Sequence, residues 1–188
     1  MKFYISDLHL GDKRVFELCK RPFSSLEEYE EELIKRWNSK VKDDDDVYVL
    51  GDLAEGSVEK VKNFFSRAKG RKHLIVGNHD EEFVAEYFLT QAFVGVERLE
   101  YIRDEGRLVC VCHYPILDWF SGNEIIYLVY GHIHNKTEAD GKMYDDIKRY
   151  YLDKPAFNAS VDVINYEPVS LDELINIKGG KKHDTHIN

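Results

Sequence analysis

Five short apolar runs divide the chain and predict the strands of the fold. They are rich in β-branched and aromatic residues, and most show little alternation of apolar and polar positions. This pattern is typical of strands that are buried on both faces. The runs cover residues 3–5, 47–50, 73–76, 108–112 and 125–130. Because helical patterns alternate with these runs early in the chain and become rarer later, we expect an α/β fold with a mixed sheet.

Helical spacing of apolar residues fills several intervals between the runs. The clearest signal is at Ser25 and Glu28, which have the spacing of a capping box and precede apolar residues at helical intervals as far as Trp37. A second capping pattern, at Ser170 and Glu173, predicts a short helix late in the chain. The other predicted elements are helices at 58–65 and 82–89 and a hairpin turn at 104–106.

Each of the five runs is followed by residues with metal-binding or acid–base chemistry, and five of the chain's eight histidines lie there. In α/β sheets ligands bind beyond the carboxyl ends of the strands, so we expect these side chains to lie close together. The segments are Asp7-Leu8-His9, Gly51-Asp52, Gly77-Asn78-His79-Asp80, His113 and Gly131-His132-Ile133-His134. The glycines fit tight turns at which the backbone approaches a site closely. Each segment alone is a weak signal, but the ordered set predicts a shared metal site.

Composition limits the class of protein and its partners. The chain has 188 residues, of which 43% are hydrophobic and 32% are charged, as is ordinary for one globular domain. Its 26 basic and 35 acidic residues give a formal net charge of −9, which provides no sequence-wide footprint for nucleic acid or an anionic membrane. We therefore expect the positive charge that an anionic substrate needs to come from metal ions or from a local patch.

One domain is expected over residues 1–178, followed by a polar, disordered tail at 179–188 whose two histidines carry little weight as ligands. His73 lies inside a predicted strand, where a structural role is expected. No apolar run is long enough to span a membrane, and the N-terminus lacks the features of a signal peptide. The three cysteines are an odd number and are interpreted as reduced thiols, with Cys110 and Cys112 on one face of a strand. We therefore expect a cytoplasmic protein.

The types of side chain at the strand ends indicate which ions they would bind. Imidazole and carboxylate suit manganese, iron, zinc, nickel or cobalt. One histidine is reserved for acid–base chemistry, which leaves seven candidate ligands: Asp7, His9, Asp52, Asn78, His113, His132 and His134. Seven ligands are too many for one tetrahedral ion and suit two ions that share a carboxylate. Such a pair can clamp a phosphoryl group and hold a hydroxide between its members as the nucleophile.

The order and content of the five segments resemble the motifs of the calcineurin-like metallophosphoesterase superfamily. The resemblance spans residues 7–134 and is expected to reach the end of the chain, and 21–25 resembles the small stand-alone phosphohydrolases of bacteria and phages. It implies a four-layer α/β/β/α sandwich with a dinuclear site at one edge. The implied ligands are Asp7, His9, Asp52 and His134 for the first ion, and Asp52, Asn78, His113 and His132 for the second. By the same resemblance, His79 would protonate the leaving oxygen, and Asp80 would orient and charge His79.

Departures from the family patterns argue against some branches of the family and against one class of substrate. The Gly-His that often follows the first motif is Gly11-Asp12 here, which leaves no histidine at that place for a substrate contact. The phosphate-gripping arginine of Ser/Thr phosphoprotein phosphatases is missing, and Glu55 stands in that region instead, which argues against that branch and against a dianionic monoester. UDP-diacylglucosamine hydrolases begin with a similar motif but dock to membranes, and no basic amphipathic docking helix is predicted here.

These patterns favour a metal-dependent phosphoesterase with a small phosphoester substrate, and a diester, such as a small nucleotide, is slightly preferred to a monoester. Manganese is the first expectation for the two ions, and iron, zinc, nickel and cobalt are alternatives. A nuclease is a weaker alternative because the basic residues near the first motif form only a modest cluster, and a silent scaffold is weaker still because no motif is missing. Trp119 and Phe120 either cover the pocket or pack. The substrate-binding residues and the oligomeric state stay open.

Overall fold

The first half of the chain forms a parallel sheet of four strands in a computed structural model, which describes residues 1–56, 58–84, 92–119, 124–135 and 141–183. The strands lie in chain order and pair in parallel, with Ile5 beside Val49 and Val49 beside Leu74. They are β1 (Lys2–Ile5), β2 (Asp46–Val49), β3 (Arg71–Ile75) and β4 (Gly95–Glu97). The helices between them are α1 (Lys13–Leu18), α2 (Leu26–Lys40), α3 (Val58–Arg67) and α4 (Glu81–Val84).

The second half forms a mixed sheet, also of four strands in chain order. The first two strands are antiparallel and are joined at Glu105 and Gly106, both with positive φ, so the predicted hairpin is confirmed. The other neighbours pair in parallel. The strands are β5 (Leu99–Asp104), β6 (Arg107–Cys112), β7 (Ile126–Tyr130) and β8 (Ala156–Asn158), and the helices are α5 (Gly141–Tyr150) and α6 (Leu171–His183).

Alternation along β6 shows how the layers stack. Val109 and Val111 belong to the larger core, which the first sheet shares, whereas Cys110 and Cys112 belong to a smaller core that includes Tyr144 of α5. The two faces of the second sheet therefore pack against the first sheet and against a helix, as the period of two in a strand requires. On the other side of the first sheet, α2 and α3 bury Tyr29, Leu33, Ile34, Trp37, Val61, Phe64 and Phe65. The expected four-layer α/β/β/α sandwich is confirmed, as is the shared face of the two cysteines.

Both predicted capping patterns begin helices. Ser25 Oγ accepts a hydrogen bond from Glu28 N at the start of α2, and Ser170 and Glu173 bond to each other reciprocally at the start of α6. The last helix continues to His183 and so enters the segment that was predicted as a tail, of which 184–188 lies outside the described residues. The predicted helix at 82–89 is described only as far as α4, since 85–91 also lies outside that part of the chain.

The two sheets meet beside β1, and this junction positions the site. Val161 N donates to Ser6 O, so the segment that follows β8 lies next to the segment that follows β1. Tyr4 and Val169 exchange two backbone hydrogen bonds a little further along. The ends of β1 and β8 are thus brought to one place. Within the described part of the chain, no helix combines the length and apolar character needed to cross a bilayer.

Candidate metal centre

The turns beyond the strands have an unusual backbone conformation. Five of the predicted site residues have positive φ angles, a region that side chains other than glycine rarely adopt. They are Asp7 (59°), His9 (47°), Asp52 (55°), His132 (72°) and His134 (46°). Such conformations persist only where the surroundings enforce them, and they concentrate at functional sites.

The glycines of these turns are confirmed as points of close approach. A Cβ atom at Gly51 would lie 2.6 Å from Gly77 Cα and 2.7 Å from Nδ1 of His113. At Gly131 it would overlap the hydroxyl group of Ser6. Any side chain at these places would displace a neighbour in the site.

One group of candidate ligands consists of Asp7, His9 and His134. One ligand atom from each lies within 4.8 Å of the others, and the rings of the two histidines are 5.1 Å apart. His9 is buried, and neither of its ring nitrogens has a hydrogen-bond partner, although they lie 3.2 Å from Asp12 Oδ2 and 3.4 Å from Asp52 Oδ2. Buried polar atoms without partners are rare in native proteins, and a bound cation satisfies them. The donor set therefore fits a divalent ion.

A second group consists of Asp52, His113 and His132, again with ligand atoms within 4.8 Å of one another. Asn78 Oδ1 lies 3.0 Å from Nε2 of His113 and is a further candidate oxygen ligand of this group. The carboxylate oxygen Oδ2 of Asp52 is 3.4 Å from Nε2 of His9 and 3.5 Å from Nε2 of His113. It therefore lies between the two groups, where a shared ligand would be placed. All seven candidate ligands come together at this edge.

Three of the candidate histidine ligands have an oxygen atom close to their Nδ1 nitrogen. His113 Nδ1 donates to Leu50 O at 2.7 Å, His134 Nδ1 lies 2.8 Å from Asp162 Oδ2, and His9 Nδ1 faces Asp12. Because a carbonyl or carboxylate oxygen accepts the Nδ1 hydrogen of His113 and of His134, Nε2 of each ring is left as the lone-pair nitrogen that can bind a metal.

The charges of the site favour cation binding. Burial raises the pKa of Asp52, but the neighbouring His9 and His113 hold that pKa well below its usual range. Burial, together with the charge of His113, lowers the pKa of His132. For His134, burial lowers the pKa, but Asp7 and Asp162 outweigh it and raise the pKa to about 11. Without metal, a proton on His134 thus offsets part of the negative charge of the carboxylates, and a metal ion would replace that proton.

His79 lies at the mouth of the site. Its side chain is exposed, its ring is 5.2 Å from that of His9, and its backbone nitrogen donates to Asp52 Oδ1 at 3.0 Å. This position suits the predicted proton donor, because the ring is open to a substrate and next to the candidate ligands.

Asp80 makes contacts that the resemblance did not suggest. Its carboxylate is buried and accepts hydrogen bonds from the backbone nitrogens of Asp52, Leu53 and Gly77, at 2.7–2.9 Å. Burial raises the pKa of this carboxyl group. Asp80 thus ties the second turn to the third, and its expected role of orienting His79 stays a prediction.

Four residues near the site were missed as contributors by sequence reasoning: Asp12, Cys19, Arg21 and Asp162. Asp12 caps α1 and faces His9; burial raises the pKa of Asp12, but the nearby His9 ring and the hydrogen bond from Val15 N outweigh it and lower that pKa to about 2. Its place at a helix start was a usable signal, whereas Asp162 belongs to a segment, 158–162, that resembles the family's closing strand but gave no sign of a role at the site.

The remaining sequence expectations concern Trp119 and His73. Trp119 is buried, donates from its indole nitrogen to Ile126 O and packs on Tyr151, so the packing alternative is confirmed for it, while Phe120 lies outside the described residues. His73 stacks on Tyr48 at 4.6 Å, away from the site, as a structural histidine would.

Comparisons with known proteins agree with this geometry. A family model described as calcineurin-like phosphoesterase matches residues 3–184. The uncharacterized protein MJ1445 of Methanocaldococcus jannaschii is 32% identical over 180 residues, which cover 93% of this chain and 89% of that protein. The gene 66 protein of Mycobacterium phage L5 is 29% identical over 160 residues, or 71% and 77% of the two chains. The crystal structure of AQ665 from Aquifex aeolicus superposes with a TM-score of 0.69 at 23% identity, covering 94% of this chain and 98% of that one, which shows the same fold.

Proposed function

This chain belongs to the calcineurin-like phosphoesterase family, whose members hydrolyse phosphoesters with the help of metal, and we propose that it cleaves a small phosphodiester at a centre of two divalent ions. The observation that carries the proposal is the position of Asp52 Oδ2, which lies within 3.5 Å of a histidine nitrogen from each of the two ligand groups.

The two groups divide the ligands between the ions. Asp7, His9 and His134 would hold one ion, Asn78, His113 and His132 the other, and Asp52 would contact both. When bound, the ions lower the pKa of a water molecule and neutralise the charge of the phosphoryl oxygens. Manganese, iron, zinc, nickel and cobalt all suit this mixture of imidazole and carboxylate, and manganese is our first choice.

The protein's own residues supply the rest of the chemistry. His79, exposed at the mouth, is placed to give a proton to the leaving oxygen of the substrate. Asp80 supports the reaction indirectly, because it fixes the turn that carries Asn78 and His79 against the turn that carries Asp52.

The preference for a diester rests on the charges around the ions. A dianionic monoester is usually gripped by arginine or lysine in addition to metal. Arg21 is the arginine bonded to the first motif, but its guanidinium is buried and donates to Asp162 and to two backbone oxygens. It therefore does not face a substrate. Glu55 is exposed near Asp12 and would repel a second negative charge on the phosphate.

The test is a comparison of two substrates on one enzyme preparation. After the metal content of freshly purified protein is measured, kcat/KM is determined with Mn²⁺ for bis-nitrophenyl phosphate and for nitrophenyl phosphate. We expect the diester to be favoured. A monoester value that is higher by about tenfold would refute the diester preference and leave the two-metal function standing. No activity with either ester under any of the five metals would refute the proposed function itself.

The partner in this proposal is the small phosphoester alone, and a location in the cytoplasm is kept as part of it. The location is supported by the three free thiols, Cys19, Cys110 and Cys112, which suit a reducing compartment.

A further inference from the structure

The ring of His134 is held by an acidic residue that lies outside all five strand-end segments. Its Nδ1 atom is 2.8 Å from Oδ2 of Asp162, whose side chain is 2% exposed. The thiol of Cys19 is also near Nδ1, but at 3.6 Å it makes the weaker contact. Because the carboxylate accepts the Nδ1 hydrogen, Nε2 of His134 is directed to the group formed with Asp7 and His9.

Arg21 connects this carboxylate to the loop of the first motif. Its Nε donates to Asp162 Oδ1 at 2.9 Å, and its Nη2 donates to Asp162 Oδ2 at 3.2 Å. The same guanidinium donates to the backbone oxygens of Asp7 and Leu8, both at 2.8 Å, and is fully buried. One side chain thus joins the loop that carries Asp7 to the carboxylate that holds His134.

The same cluster of side chains could instead be a separate metal site, and its charges argue against that interpretation. One ligand atom each from Cys19, His134 and Asp162 lies within 4.8 Å of the others, which is close enough to hold a metal ion. However, the Arg21 guanidinium contacts both oxygens of Asp162, and its positive charge opposes a cation there. The contacts therefore favour a supporting role for the cluster.

We infer that Asp162 and Arg21 are positioning residues that hold His134 and Asp7 in the arrangement that binds one of the two ions. The inference rests on the proposed two-ion function. The other group has contacts of its own that involve neither Asp162 nor Arg21, since His113 is held by Leu50 O and Asp52 by the backbone nitrogen of His79. Loss of the Asp162–Arg21 pair should therefore weaken the binding of one ion and leave the binding of the other unchanged.

The experiment titrates the metal-free chain with Co²⁺ and follows visible absorbance together with the number of ions bound. Asp162→Asn keeps the shape of the side chain and removes its charge. Asp46→Asn is the matched control, because Asp46 also pairs with an arginine and a histidine but lies at the other end of the first sheet. We expect the wild-type chain to bind two Co²⁺ ions in two binding steps, and Asp46→Asn to bind them with unchanged affinity. In Asp162→Asn, the Kd of one binding step should stay within about threefold of the wild-type value, and the Kd of the other should rise by about 10–100-fold.

Arg21→Lys provides a second variant, which keeps the charge but loses the planar fork, and the same step should weaken. It tests the inference on its own if Asp162→Asn does not fold, as judged by circular dichroism. Two steps of wild-type strength in the variant would overturn the inference, and so would equal weakening of both steps, because that indicates a general loss of structure. A wild-type chain that binds fewer than two ions contradicts the proposed function instead, and this is seen before any variant is compared.

Discussion

Two trios of the same three residue types lie in different surroundings, one at the amino end of the first sheet and one at its carboxyl end, where the segment after β8 lies next to the segment after β1. At the amino end, Arg71 donates to both oxygens of Asp46, and His73 Nε2 lies 3.1 Å from Asp46 Oδ1. At the carboxyl end, Arg21 likewise donates to both oxygens of Asp162, but His134 contacts Asp162 Oδ2 through Nδ1 instead of Nε2. The arginine side chain is 56% exposed in the first trio and fully buried in the second.

The difference shows that position, and not residue type, determines what such a trio does. At the amino end, water competes with the ion pair, so the pair contributes little to stability. At the carboxyl end, neighbouring turns bring further ligands to the histidine, and the buried pair has no water to replace a lost partner. Two strands have residues of one type before and after this change of surroundings: Asp46 begins β2 and Asp52 lies in the turn after it, while His73 lies within β3 and His79 in the turn after it.

The largest expected effect is at Asp52. Asp52→Ala should remove most of the bound metal and reduce activity to the uncatalysed level, because the variant loses the oxygen that lies between both ligand groups. Asp46→Ala removes a carboxylate from the other end of the same strand and should keep both ions and activity. Elemental analysis with an activity assay makes the comparison, and a full complement of two ions in Asp52→Ala would show that Asp52 is not shared.

The next largest effect is at His79. His79→Ala should keep the metals but lower kcat by about 10²–10⁴ if the ring acts as a general acid. The loss should shrink for leaving groups such as nitrophenolate, which hardly need a proton. His73→Ala changes a histidine within β3, the strand that precedes the turn of His79, and should leave kcat unchanged. Measuring kcat against leaving-group pKa checks the role, and an equal loss for every leaving group argues against it.

A smaller effect is expected on the free energy of unfolding, to which the Asp162–Arg21 and Asp46–Arg71 ion pairs should contribute differently. In metal-free protein, Asp162→Ala leaves the Arg21 guanidinium buried without its carboxylate, and the free energy of unfolding should fall by about 3–5 kcal/mol. Asp46→Ala should cost much less, since Arg71 stays in contact with water. Urea unfolding of both variants with a chelator present measures the difference, and losses of equal size would mean that burial does not distinguish the pairs.

The smallest effect is a pH dependence at the amino end. Hydrogen bonds from Arg71, with a contribution from His73, lower the pKa of Asp46 to about 2. Because this pKa lies below the unfolded value of about 3.9, the pair stabilises the fold above that pH and loses its contribution as pH falls toward 2. The stability gap between wild type and Asp46→Asn should therefore be present near neutral pH and close in acid. A gap that stays constant across this range would contradict the assigned pKa.

Local pattern was enough to predict most of the fold and the identity of the candidate ligands. Apolar runs mark strands because burial on both faces requires them, and Ser25 and Ser170 mark helix starts because a hydroxyl group satisfies free backbone donors. The ligands were found because each directly follows a strand, so their place along the chain also fixes their place at the sheet edge. Arg21 was noticed only as part of a family-like segment, without a role.

What the sequence determined by itself is therefore the set of strand-end residues and the chemistry that they share. The division of these residues into two groups that share Asp52 was implied by the family resemblance, and only the tertiary structure decided that Asp80 holds backbone turns. It also decided that Asp162 contacts His134 and Arg21, which lie 28 and 141 positions away along the chain. Contacts of this kind depend on how the segment after β8 packs beside β1, and that packing results from the burial of two sheets together and not from the pattern of either segment alone.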